Sequence, residues 1–107
     1  MEGLEKTSFE IISTVGMARS CFIEAIREAR HGDFSSAKSL LTEGNKYFNE
    51  GHLAHTKLVQ AEASGERFDM NILLTHAQDQ MMSAESFKIL CEEFIETYKI
   101  LHNNCIK

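Results

Sequence analysis

No proline interrupts the 107 residues of this chain, although average usage would put about five in that length. Proline ends helices because it removes a backbone donor and crowds the preceding turn. Its absence leaves long helices open to the sequence, with six glycines as the main punctuation. Leu4, Ser8, Ile11, Val15, Ala18, Phe22, Ala25 and Ala29 recur in steps of three and four, the stripe by which an amphipathic helix faces a core. Gly32 beside Asp33 then reads as a tight turn. Glycine takes the left-handed conformation after a helix, and a carboxylate at Asp33 can accept from the free N–H groups of the next one.

A second stripe runs through Phe34, Ala37, Leu41, Gly44, Phe48, Gly51, His55 and Leu58. Glycine costs a helix about 1 kcal/mol relative to alanine, so Gly44 and Gly51, one heptad apart on the inner face, imply close backbone approach to a neighbour. Ala63-Ser64-Gly65-Glu66 breaks the pattern, and Asp69 is expected to cap a third helix. There the inner seam reads Leu73, Ala77, Gln80, Ala84, Phe87, Cys91, Phe94, Tyr98, Leu101 and Cys105, a repeat of about 3.5 residues that suits left-handed bundle packing. The expected fold is therefore all-α, an antiparallel three-helix bundle, in one domain covering residues 1–107. Beside the third seam lies another stripe, Ile72, Thr75, Asp79, Met82, Ser86 and Ile89. It has no partner within a single hairpin of helices, so protomers are expected to meet along helix three as a homo-oligomer.

A formal charge of −5 and a pI near 5.5 argue against a surface for nucleic acid or anionic membrane, where clustered Lys and Arg must neutralise phosphates. There is no apolar run of about 18 residues, and the first residues lack the layout of a signal peptide. A cytoplasmic location is the expectation. Cys21, Cys91 and Cys105 form no CxxC pair, which fits reduced packing thiols.

The five histidines sit in different settings. His31 closes the first helix, where a cation suits the negative helix end, and His102 is expected to be solvated. His52 and His55 lie on or near the inner side of helix two, as core histidines or as lining of a site. His76 stands apart, because Thr75-His76-Ala77-Gln78-Asp79-Gln80 gathers polar groups in the first turns of an otherwise apolar helix. Such an arrangement costs stability unless something uses it. Neutral imidazole is a good nucleophile near pH 7, and residues three and four further on, Asp79 and Gln80, fall within its reach. On the residues alone, an ordinary polar contact is an equally good account. A zinc hydrolase motif, a glycine-rich phosphate loop and a serine nucleophile turn are all missing from the sequence. Glu92, Glu93 and Glu96 lie at the far end of helix three and read as a solvated face rather than the repeated ligands of a metal-storage bundle.

Several segments together resemble the lactose/cellobiose-type IIA component of the bacterial phosphoenolpyruvate-dependent sugar phosphotransferase system. They are Gly16-Met17-Ala18-Arg19-Ser20, Gly32-Asp33-Phe34 with Ala37, Asn49-Glu50-Gly51-His52, Thr56-Lys57-Leu58 and, above all, Leu74-Thr75-His76-Ala77-Gln78-Asp79. The resemblance implies a homotrimer in which His76 accepts a phosphoryl group from the carrier HPr. It implies transfer onward to a cysteine of the IIB component, and then to a sugar entering through the membrane IIC component. It also implies that Asp79 and its symmetry mates surround one divalent metal per trimer, Mg2+ being the expected ion. Gln78 and Gln80 are expected as neighbours donating to the phosphoryl oxygens. Gln80 stands where the family commonly has a second histidine, and its amide does not titrate near neutral pH. Gly51 stands where alanine is common, a change expected to loosen packing. The competing reading is a helical regulatory or interaction module that keeps the fold without transfer activity.

Overall fold

The structure is a computed structural model that describes residues 3–106, with only the helical backbone given for Cys105 and Ile106. Three helices follow one another: α1 (Leu4–Arg30), α2 (Phe34–Ala63) and α3 (Ile72–Ile106). The first turn forms as its residues dictate. Gly32 adopts φ +88°, its N–H donates to Ala29 O at 3.0 Å, and the Asp33 carboxylate accepts from Ser36 N at 3.0 Å to cap α2. Between α2 and α3 the chain turns at Gly65, with φ +105°. The cap of α3 is not Asp69. Leu74 N donates to Asn71 Oδ1 at 2.8 Å, because Asn71 immediately precedes the first helical residue while Asp69 lies two residues too early.

Helix α1 is the central rod, touching both others along its length, whereas α2 and α3 touch each other least. Its expected seam is buried from Ser8 to Ala29. On α2 the two inner glycines meet α1 closely: a Cβ at Gly44 would lie 2.6 Å from Phe22 Cε1, and one at Gly51 would lie 2.6 Å from Val15 Cγ1. Gly51 therefore marks a tight approach instead of the loosened packing expected from its replacement of alanine.

The seam of α3 departs in part from the heptad read in the sequence, although Phe87 and Tyr98 pack half-buried against the core as expected. Ala77, Ala84 and Cys91 face the core as expected, but the alternate contacts come from Leu74, Met81 and Ile95 in place of Leu73, Gln80 and Phe94. Phe94 and Leu101 are 42% and 50% exposed. Two flanks one residue apart compete for the core, and the one that wins includes Lys88 and His102, whose polarity disguises it. Lys88 extends its ammonium over the Phe48 ring, 5.1 Å from the centroid. His102 Nε2 bonds Arg30 O at 3.0 Å and its ring meets Phe34 edge-on, so this histidine is half-buried against the α1–α2 turn, not solvated. Cys105, assigned to the same seam, lies outside the residues whose side chains are described.

The second stripe of α3 is exposed throughout, with Ile72 at 90% and Met82 at 70%. The molecule measures 60 × 20 × 18 Å with a radius of gyration of 16.8 Å, against about 13 Å for a compact domain of this length. A rod this thin has much surface for its volume, which is why apolar residues remain outside.

Candidate functional site

His76 is the fifth residue of α3, and Asn71 starts the helix by holding the Leu74 N–H. It lies in an open depression of about 630 Å³, lined by Met70, Asn71, Ile72, Thr75, His76 and Asp79. The remaining histidines are engaged. His31 bonds Arg27 O at 2.8 Å, His102 bonds Arg30 O, His55 donates from Nε2 to the amide oxygen of Gln78, and His52 stacks on Phe48 with ring centroids 6.1 Å apart. Among the described residues none hydrogen-bonds or stacks on the ring of His76. An exposed imidazole with both nitrogens unoccupied can present a lone pair to an incoming electrophile.

The helix distributes its neighbours. Asp79 is exposed on the unpartnered stripe, three residues beyond His76. Gln80, one turn beyond, is half-buried, and its amide oxygen accepts from Arg19 Nη1 of α1 at 2.5 Å. Gln78 is turned toward α2 and His55, away from the His76 face. Arg19, which entered the sequence reading only within a resembling segment, and His55, which entered it as a core histidine or as lining of a site, therefore hold the two glutamines. Arg19 had a signal: it interrupts the half-buried stripe Ile12, Gly16, Arg19, Ile23 on α1.

Among the described residues no three His, Cys, Asp or Glu side chains of one chain converge to hold a metal. Asp79 contributes a single carboxylate, so an ion at this position would take its other ligands from other copies. A groove of about 710 Å³ at the other end of the rod is lined by Phe34, Lys38, Leu41, Glu92, Glu93, Glu96 and Lys99 among others. The three glutamates are exposed there, as expected. Both cysteines whose side chains are described, Cys21 and Cys91, are buried. Burial pushes the Cys91 thiol up to about 11, with Glu92 adding to the shift, and burial with Glu43 and Glu24 raises Cys21. Neither supplies thiolate near neutral pH.

The chain is thus a long three-helix rod with an exposed imidazole near the start of its last helix. The sequence matches the family model "PTS system, Lactose/Cellobiose specific IIA subunit" over residues 6–99. The lactose-specific EIIA component of Staphylococcus aureus is 38% identical over 98 residues, covering 92% of this chain and 95% of the relative. The crystal structure of the cellobiose-specific enzyme IIA from Bacillus anthracis superposes with a TM-score of 0.91 at 38% identity, covering 96% of this chain and 94% of that one. The IIA(Chitobiose) of the Escherichia coli phosphotransferase system, solved in complex with HPr, gives 0.80 at 32% identity over 95% and 99% of the two chains. The chain belongs to the lactose/cellobiose-specific IIA family of the sugar phosphotransferase system, and is a phosphocarrier component of that system. No helix among the described residues is long and apolar enough to cross a membrane.

Proposed function

We propose that this IIA component accepts a phosphoryl group from phosphorylated HPr on His76 and passes it to a cysteine of a IIB component, which phosphorylates a sugar entering through a membrane IIC component. The observation that carries this reading is the free, exposed ring of His76 among four engaged histidines. The likeness to a IIA protein solved with HPr supports the choice of donor. The lone pair of the unprotonated His76 nitrogen, Nε2 by family resemblance, forms the new N–P bond as the donor's N–P bond breaks. The departing imidazole regains that electron pair, and the remote ring nitrogens exchange protons with water. Between two imidazoles, positioning and charge stabilisation are the main tasks left to the protein. The start of α3 contributes a modest positive potential, and Gln80 can donate to the phosphoryl oxygens. Gln78 reaches such a role only by giving up its contact with His55.

The working form is a homotrimer joined along the exposed stripe of α3, in the cytoplasm. Three Asp79 carboxylates then meet on the axis and supply oxygens for one hard divalent cation, Mg2+ by its chemistry. Such an ion neutralises carboxylates that otherwise repel. The sugar is recognised by the membrane component, so no residue of this chain selects it.

The test is a relay rebuilt from purified components. Wild type should gain label from phosphorylated HPr and surrender it to IIB. His76→Gln keeps size and polarity while removing the nucleophile, so it should fold normally and gain none. A wild-type protein that folds yet takes no label would favour the alternative, a helical regulatory or interaction module without transfer activity.

A further inference from the structure

We propose that Arg19 is a positioning residue for phosphoryl transfer: by holding the amide oxygen of Gln80, it turns that amide's N–H groups toward a phosphoryl group on His76. The inference rests on the function proposed above. Gln80 lies four residues beyond His76, which places it on the same face of α3 and about 6 Å further along the axis. A glutamine amide offers an acceptor on one side and donors on the other, and a half-turn exchanges them. The orientation matters beside a phosphoryl group, since N–H groups bind its oxygens whereas a carbonyl oxygen repels them.

Arginine decides between the two. A guanidinium has only donors and stays protonated at any working pH, so it can hold the amide only by its oxygen. Arg19 Nη1 does so at 2.5 Å, across the contact between α1 and α3, and among the described residues the Gln80 NH2 has no protein acceptor. Arg19 also occupies a place where a charge is costly. It is half-buried between Gly16 and Ile23, partly shielded from the water that would solvate it. Gln78 shows the contrast. Its oxygen is held by His55 on the α2 side, away from the His76 face.

The pairing gives this chain a neutral amide donor with a built-in orientation at the position where a titrating histidine is common in the family. Acceptance by His76 should therefore lack a contribution from titration at position 80, and depend on Arg19 instead.

Label uptake from phosphorylated HPr is measured for wild type, Arg19→Met, Gln80→Leu, the double variant and Gln80→Glu, with thermal melting of each. Arg19→Met should lower the maximal rate about tenfold, the size expected for losing one well-placed hydrogen bond to a charged group, with the KM for HPr within twofold of wild type. In the Gln80→Leu background the same change should cost little more, because the two residues act as a pair. Gln80→Glu keeps the contact with Arg19 as an ion pair but loses the amide donors. It should melt no lower than wild type and transfer at least tenfold more slowly, a result that holds even if Arg19→Met folds poorly. The proposal is overturned if Arg19→Met transfers at the wild-type rate, if its loss multiplies in full with that of Gln80→Leu, if only KM changes, or if Gln80→Glu is fully active. Wild type that takes no label would instead overturn the function on which the proposal rests.

Discussion

At Asp33 the carboxylate accepts from the Ser36 N–H at 3.0 Å and from the Ser36 hydroxyl at 2.8 Å. The first of these bonds is the larger cause of a pKa held below the ordinary carboxylate range, and the second adds to it. A lowered folded-state pKa means that the unfolded chain takes up the proton first as the solution is acidified. The stabilisation is therefore complete above about pH 4, the ordinary aspartate value, and is lost as pH falls through the folded-state value. Denaturation of Asp33→Asn between pH 2 and pH 6 should show a shallower acid dependence than wild type. An unchanged slope would mean that the Asp33 charge contributes nothing to the acid dependence of folding. This residue was legible because Gly-Asp before an apolar run has a single structural use. Asn71 was not, because Asp69 and Asn71 share the same capping chemistry and only the helix start, set by tertiary packing of Leu74, separates them. Arg19 showed in the sequence as a charge interrupting a stripe of α1, but its pairing did not, since its partner Gln80 is 61 residues away.

Among the elements, the α1–α2 contact carried its own signature in the sequence. Two glycines one heptad apart forecast a close approach, and Phe22 and Val15 fill the space where their side chains would be. Phe22 is wholly buried, so its ring has nowhere to retreat. Gly44→Ala gains about 1 kcal/mol in helix propensity but overpacks the contact at a cost of about 1–3 kcal/mol. The variant should be less stable by about 1 kcal/mol by chemical denaturation, and a stabilised variant would show that the helices can separate freely. Helix α3 was less legible. Its length and heptad were plain, but the choice between neighbouring flanks turned on Lys88 and His102, polar residues that reach partners on other helices. Apolar periodicity cannot reveal such contacts, so Phe94 and Leu101 were placed inside although they are exposed.

On the scale of the whole molecule, the exposed stripe from Ile72 to Ile89 asks for burial, and Asp79 interrupts it with the charge that an axial cation would meet. Sedimentation at micromolar concentration should give a trimer, and a monomer of 12.1 kDa would count against the assembly. Asp79→Leu should leave the trimer intact or make it more stable, by about 1–4 kcal/mol if the three carboxylates meet in a buried cluster, while metal bound per trimer falls to none. Dissociation of that variant would instead make the carboxylates essential to assembly. An apolar stripe without a partner shows in the sequence as a need for burial, whereas the symmetry that would meet it lies outside one chain. The central claim is that His76 alone carries the phosphoryl group. Its most direct test is to phosphorylate the wild-type protein with HPr and locate the group by peptide fragmentation under alkaline conditions that preserve phosphohistidine. One phosphoryl group per chain is expected, on the peptide bearing His76, and none on those bearing His31, His52, His55 or His102. A phosphoryl group found on His52 or His55, with His76 unmodified, would contradict it.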